Sequence, residues 1–297
     1  MCIRDSAYTL ALFAQDEIKL LRNLQALIGV RYIYHENFKN HATPNVALMY
    51  KPGKFNFRAS YAAGFRTPTL SELYATDIAK KNDRLTIGNL DLKPEKNNYF
   101  SLSAEYVHER FSVSVNAFYN NIRDMIDYNT IATGDKAMEQ YGHKEVRQRD
   151  NIAEAKVHGI NVSANAYLGA GFNLSGGYTH LNTQDVELEQ PIDKSIKNAY
   201  NINAQWAHSW KIYRLNINLN GRINSKRFSK SYGYAPEYQL WDLNTRHSFN
   251  LKSVIIEPGC GMENLFDYMD DRPYNSNYAT LTPGRSFYIS LSLKFKS

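Results

Sequence analysis

The run Leu215-Asn216-Ile217-Asn218-Leu219-Asn220-Gly221-Arg222-Ile223 alternates apolar and polar positions. A β-strand turns successive side chains to opposite faces, so Leu215, Ile217, Leu219 and Ile223 share one face. Asn216, Asn218, Asn220 and Arg222 share the other, a face suited to water rather than to a packed core. The same two-residue period recurs along the chain. Phe55, Phe57, Ala59, Tyr61 and Ala63 oppose Asn56, Arg58 and Ser60. Phe111, Val113, Val115, Ala117 and Tyr119 oppose Ser112, Ser114 and Asn116. Ile160, Val162, Ala164 and Ala166 oppose Asn161, Ser163 and Asn165, and the row from Phe287 to Phe295 opposes Ser286, Ser290, Ser292 and Lys294. The pattern predicts thirteen strands, over 8–17, 23–34, 43–51, 54–65, 95–107, 110–122, 152–168, 171–182, 197–208, 211–224, 238–250, 253–266 and 284–296. Phe13 breaks the phase of the first. Arg or Lys at the lipid midplane costs about 2–4 kcal/mol, and the apolar rows carry almost no charge.

The connections alternate in length. Lys51-Pro52-Gly53-Lys54, His108-Glu109-Arg110 and Gly169-Ala170-Gly171 read as tight turns. Between them lie long polar loops near 66–94, 125–151, 183–196, 225–237 and 267–283, with no helical domain. Short turns at one end and long loops at the other are the habit of outer-membrane barrels. A soluble β-sandwich has no reason for it. The prediction is an all-β, antiparallel transmembrane β-barrel, lipid outside and water inside. Bacterial single-chain barrels have an even number of strands. An odd count therefore implies further strands on the N-terminal side, so the chain is expected to be the C-terminal part of a larger protein.

Composition sharpens this picture. The chain has 297 residues, a mean hydropathy of −0.51, and no apolar run long enough for a membrane helix. Its 22 Tyr and 14 Phe would supply aromatic girdles at the two membrane interfaces. The net charge of +6 is scattered through turns and loops, without the dense basic cluster that nucleic acid would need. Cys2 and Cys260 are too few for a disulfide framework, and Cys260 falls on the apolar side of its strand as a lone lipid-facing thiol. Residues 1–6 (MCIRDS) are neither a signal peptide nor part of the alternation, and are read as a non-native N-terminal segment ahead of a barrel domain over 7–297.

Two motifs bracket the first long loop, Gly64-Phe65-Arg66-Thr67-Pro68 and Gly88-Asn89-Leu90-Asp91-Leu92-Lys93-Pro94-Glu95. Pro68 removes a ladder donor and stops pairing, and Pro94 presets an extended start for the next strand. Arg66 lies on the inward face. Together with Glu154-Ala155-Lys156-Val157-His158-Gly159-Ile160-Asn161, Glu263-Asn264-Leu265-Phe266-Asp267 and Pro283-Gly284-Arg285-Ser286-Phe287, these motifs closely resemble the barrel of TonB-dependent outer-membrane receptors. Lys294-Phe295 resembles the C-terminal aromatic used for barrel insertion. The resemblance covers nearly everything after Ser6. It implies a 22-stranded barrel in a Gram-negative outer membrane, of which this chain holds about the last 13 strands. It also implies a plug missing here, and uptake powered by TonB, ExbB and ExbD through the missing N-terminal part. The expected partners are outer-membrane lipid and an iron-complex or corrinoid ligand, with no cofactor.

Family members take up iron siderophores, haem, cobalamin and some glycans. Haem receptors resemble this chain in the elements Phe65-Arg66-Thr67-Pro68 and Asn89-Leu90-Asp91-Leu92, yet no His lies between Thr69 and Gly88 to ligate haem iron. His143 is the other His candidate. The loops also carry Tyr141, Tyr232, Tyr234, Tyr274 and Tyr278 with Arg147, Arg149 and Arg227, and aromatic faces with guanidinium groups suit a large planar or anionic ligand. The expected ligand-binding set is Arg66, Tyr141, His143, Arg147, Tyr232, Tyr234 and Tyr274. Asp270-Asp271 falls short of the 6–8 oxygens of a Ca²⁺ site, so no metal is expected. No nucleophile elbow, HExxH, CxxC or P-loop occurs, and Gly169-x-Gly171 is a turn with no helix after it. An enzyme is not expected. The alternatives are a passive porin-like channel, a non-transporting outer-membrane adhesin or enzyme, and a soluble β-domain.

Overall fold

The computed structural model describes residues 8–151, 154–186, 188–230, 232–270 and 282–296. The N-terminal segment 1–6, Cys2, Asp271, Tyr274 and Tyr278 lie outside them. In chain order the strands are β1 (Thr9–Leu21), β2 (Leu24–His35), β3 (Lys39–Tyr50) and β4 (Phe55–Arg66). Helix α1 (Leu70–Tyr74), β5 (Thr76–Ala79) and β6 (Arg84–Ile87) follow, then β7 (Glu95–Val107), β8 (Phe111–Arg123) and β9 (Ile126–Thr133). Helix α2 (Gly134–Tyr141) leads to β10 (Glu145–Asn151), β11 (Ala155–Gly169), β12 (Phe172–Asp185), β13 (Asn198–Trp210) and β14 (Tyr213–Asn224). The last are β15 (Arg227–Ser229), β16 (Gly233–Ala235), β17 (Tyr238–Asn250), β18 (Val254–Glu263) and β19 (Ser286–Phe295).

Thirteen of these strands pair antiparallel in the order β1-β2-β3-β4-β7-β8-β11-β12-β13-β14-β17-β18-β19. They are the thirteen segments that the alternation predicts. Glu95–Val107 and Tyr238–Asn250 coincide with their expected bounds, and β3 departs from its own by starting at Lys39 rather than at 43. Pro44 sits inside β3, and the β3–β4 ladder begins only at Asn45↔Ala62 because Pro44 has no N–H to give. Pro258 acts alike in β18, where pairing with β17 lapses between Gly259 and Ile256.

Register turns the period of two into continuous rows. Leu48, Ala59, Leu102, Ala117 and Ile160 stand opposite one another across five strands. Arg58, Ser103, Asn116, Asn161 and Thr179 form the row behind them. The polar face bonds to itself. Asn203 Nδ2 donates to Asn218 Oδ1 at 2.7 Å and to Asn220 Oδ1 at 2.6 Å, and Gln205 donates to Asn216 at 3.1 Å. Cys260 is exposed on the apolar face, opposite Ile289. The β1 apolar row carries one acid, Asp16, opposite Ile28, while Phe13 pairs with Arg31 on the polar side.

Aromatic side chains gather near both ends of the apolar face. Phe172, Trp206, Trp210, Tyr213 and Phe249 are in successive ring contact at the tight-turn end. Tyr61 on Phe100 and Tyr178 on Tyr200 lie toward the long-loop end. Trp210 and Tyr200 lie ten positions apart on β13, about 33 Å along the strand, or about 25 Å of membrane depth at a tilt near 40°. The tight turn of Gly169, Ala170 and Gly171 has positive φ at all three residues. A Cβ on Gly171 would lie 2.0 Å from the Ala207 carbonyl oxygen, so only glycine serves there.

The long loops are not plain polar loops, which corrects the sequence expectation. Strands β5, β6, β10 and β9 form a second, four-stranded sheet in that order, joining loop 67–94 to loop 124–154. Its β6–β10 pair is parallel, with Leu85 opposite Val146. Helix α2 packs on one face, where Ala132, Ala137 and Val146 are buried with Leu85, Ile87 and Tyr141 against them. Leu73, Leu92 and Ile126 form a second small core with Phe38. Among the described residues both clusters of buried apolar side chains belong to this cap, and the thirteen-stranded wall displays its apolar residues outward.

Candidate functional site

The two motifs around the first loop build one clamp at the top of the wall. Arg66 ends β4 opposite Glu95, which opens β7. Its Nε and Nη2 each donate to the Glu95 carboxylate at 2.6 Å, and its Nη1 donates to Glu72 at 3.0 Å. Glu72 is also the third residue of α1, where Thr69 and Glu72 form a reciprocal capping box. Burial pushes the Glu72 carboxyl up, but the Thr69 N–H and the Arg66 guanidinium outweigh it and hold the group below the usual carboxylate range. Glu95 further accepts from Ile126 N–H at 2.8 Å, and Gly88 lies so close to α1 that a Cβ would meet the Leu73 carbonyl at 2.5 Å. Asn151 staples the second loop to the first, donating to the Lys93 and Asp124 carbonyls and accepting from Lys93 N–H. The Arg66 donors are thus engaged in holding the loops.

The cap sheet positions the remaining chemistry. Opposite the face covered by α2, register brings Arg84, Thr86, Arg147, Arg149, Thr130 and Tyr128 onto one side. Arg147 pairs with Glu145. The Arg149 guanidinium carbon lies 3.6 Å over the Tyr128 ring, and Arg149 also donates to the Tyr128 hydroxyl. The buried Arg84 Nε has no hydrogen-bond partner among the described residues. Asp77 of β5, opposite Thr86, shares this side, and three guanidiniums against the Glu145 and Asp77 carboxylates leave the open face positive.

The expected set is therefore divided. Arg147 is on the open face. Tyr141 closes α2 on the covered face as part of the small core. His143 Nδ1 lies 2.9 Å from Asp83 Oδ1, tying the two loops beside the β6–β10 pair. That bond holds the Asp83 carboxyl below its ordinary range, against a smaller effect of burial. Tyr232 and Tyr234 are exposed on the separate β15–β16 hairpin, where Tyr234 meets Phe228 edge-on at 5.3 Å. Tyr274 lies outside the described residues. Sequence reasoning passed over Arg84 and Tyr128. The signal for Arg84 was the short alternation Arg84-Leu85-Thr86-Ile87 inside a loop otherwise read as irregular.

A family model described as TonB dependent receptor-like, beta-barrel, matches residues 3–265. The chain belongs to this family. TonB-dependent receptor barrels are proteins of the Gram-negative outer membrane, and so is this one; the family is one of transporters, not enzymes. Solved structures agree on the fold. A variant of the ferric enterobactin receptor PfeA from Pseudomonas aeruginosa superposes with a TM-score of 0.77 at 20% identity, over 98% of this chain and 45% of that one. The siderophore receptor PirA from Acinetobacter baumannii gives 0.76 at 16% identity, over 98% and 46%. The copper transporter OprC gives 0.75 at 13%, over 98% and 48%. The chain thus spans slightly under half the length of these receptors.

Proposed function

We propose that this chain forms wall and outer loops of a TonB-dependent transporter that takes up an iron complex, with an anionic ferric siderophore as the favoured cargo. The open face of the cap sheet carries this reading, because Arg84, Arg147 and Arg149 beside Tyr128 offer planar donors and an aromatic face to an anionic, ring-bearing ligand. Tyr232 and Tyr234 add exposed aromatic surface on a separate loop. Haem is disfavoured by the lack of His over 69–88 and by the engagement of His143 Nδ1 with Asp83. Energy for uptake would come from TonB, ExbB and ExbD.

The test uses the full-length receptor in a strain deleted for its gene. Growth on ferric catecholate as sole iron source should fail in the deletion and in R84A/R147A/R149A, with binding to the purified variant weakened at least about tenfold. Failure confined to haem or to cobalamin would reassign the cargo. Uptake of every nutrient surviving the deletion would favour an adhesin or enzyme. A run of strands with no globular plug upstream in the gene would favour a passive channel.

A further inference from the structure

Among the described strands the outward rows of the wall carry little charge: the single acid Asp16 on β1, and one basic cluster. That cluster, on β7, β8 and β11 just above the aromatic row, is Lys96, Arg123 and Lys156. Lys96 stands directly opposite Arg123, and Lys156 is diagonal to it across β8. Like charges facing each other across a ladder are destabilising unless an anion lies between them. The acids nearby do not balance them. Among the described residues Glu154 is the one carboxylate paired with them, 3.6 Å from Arg123 Nε and also facing the charge of Lys156, and Arg123 is still 63% exposed. Glu95, the chain neighbour of Lys96, is held by Arg66.

Below this cluster β7 and β8, with β3 and β4 beside them, form an open apolar groove of about 560 Å³. Ala59 and Ala117 flank Leu102 as its floor, and Tyr61, Phe100 and Tyr119 stand along its upper side. The small alanines make the depression, since the positions above them carry rings. Phe100 to Lys96 and Tyr119 to Arg123 are four positions each, about 13 Å along the strand and about 10 Å in depth at the usual tilt. That offset carries the cations above the ring level, out of the hydrocarbon and into the headgroup region.

The geometry points to a specific site on this outer wall for a phosphorylated, multiply acylated lipid of the outer leaflet. Its phosphate rests on Lys96, Arg123 and Lys156, and one acyl chain fills the Ala59–Ala117 groove. Charge complementarity, with the cations above an apolar groove and both halves of the site on the lipid-facing rows, argues for a membrane lipid rather than a protein partner.

The test titrates detergent-purified full-length receptor with bisphosphorylated lipid A, with the same glycolipid after dephosphorylation, and with inorganic phosphate, read by native mass spectrometry. The bisphosphorylated lipid should bind at least about tenfold more tightly than the dephosphorylated form, from the loss of charge-assisted contacts. Inorganic phosphate should bind weakly, lacking the chain. K96Q/R123Q/K156Q should lose the phosphate preference and copurified lipid, and A59F/A117F should weaken the lipid while leaving inorganic phosphate unchanged. Equal binding of phosphorylated and dephosphorylated lipid by the unmodified receptor overturns the site, whatever the variants do. So does copurified lipid that is unchanged in both variants.

Discussion

The wall and the cap solve the problem of folding in opposite ways. The wall has long strands, nearest-neighbour pairing and apolar residues turned outward; its order comes from ladders and from the solvent on each side. The cap has strands of four to eight residues, one parallel pair, two helices and two small cores. It resembles a miniature soluble domain tethered to a membrane sheet. The wall tolerates almost any polar residue on its inner face and little charge on its outer face. The cap depends on a few buried side chains and on ion pairs between distant segments.

The sharpest break of this contrast is a charge on the wall's outer row. Leu102→Arg should destabilise the receptor by about 2–4 kcal/mol in vesicles, while Ser103→Arg on the inner row should cost under about 1 kcal/mol. Urea titration in lipid measures both, and equal costs would show that the faces are misassigned. Next comes Val146→Ala, which empties a fully buried position in the cap at a cost of about 1.5–3 kcal/mol. Hydrogen exchange should rise over 76–87 and 126–151 and stay unchanged in the wall; a global rise would mean that cap and wall unfold as one unit.

Glu95→Gln should cost about 1 kcal/mol or less, because Arg66 is 43% exposed and keeps Glu72. Its effect should appear at the junction, as faster exchange of Ile126 N–H. The smallest effect concerns Asp83. Its folded carboxyl titrates below the unfolded value near 3.9, so its contribution is whole above about pH 4 and disappears as pH falls through the folded value. Cap opening, followed by hydrogen exchange corrected for intrinsic rates, should increase on acidification below pH 4 in the native protein, and Asp83→Asn should blunt that dependence.

The contrast also explains what could be read from residues alone. The wall was legible because one period of two runs through strands such as Phe111–Arg123, and register merely aligns neighbours. Tight turns were legible from Gly169-Ala170-Gly171. The cap was not, because Leu85 and Val146 meet through a parallel pairing that no local pattern announces. Within it, the Thr69-x-x-Glu72 capping box that starts α1 was passed over in a stretch read as polar loop. Arg66 was correctly placed on the inward face, but its engagement by Glu72 and Glu95 depends on the fold bringing a helix and the next strand together. Arg84 and Tyr128 needed the second sheet before they could be seen as neighbours of Arg147 and Arg149.

The parallel β6–β10 pair carries a consequence for assembly. Asp83 and His143, which flank it, are 60 positions apart, and the β7–β8 hairpin of the wall lies between them. Loop closure must precede the reward from such a distant contact, so the pairing is intrinsically late. β6 has no partner in the parallel direction until that hairpin has turned and brought β10 back. During synthesis and insertion the first loop therefore remains unfinished until two further wall strands are placed, and the order in which the cap appears is dictated by the membrane sheet beneath it.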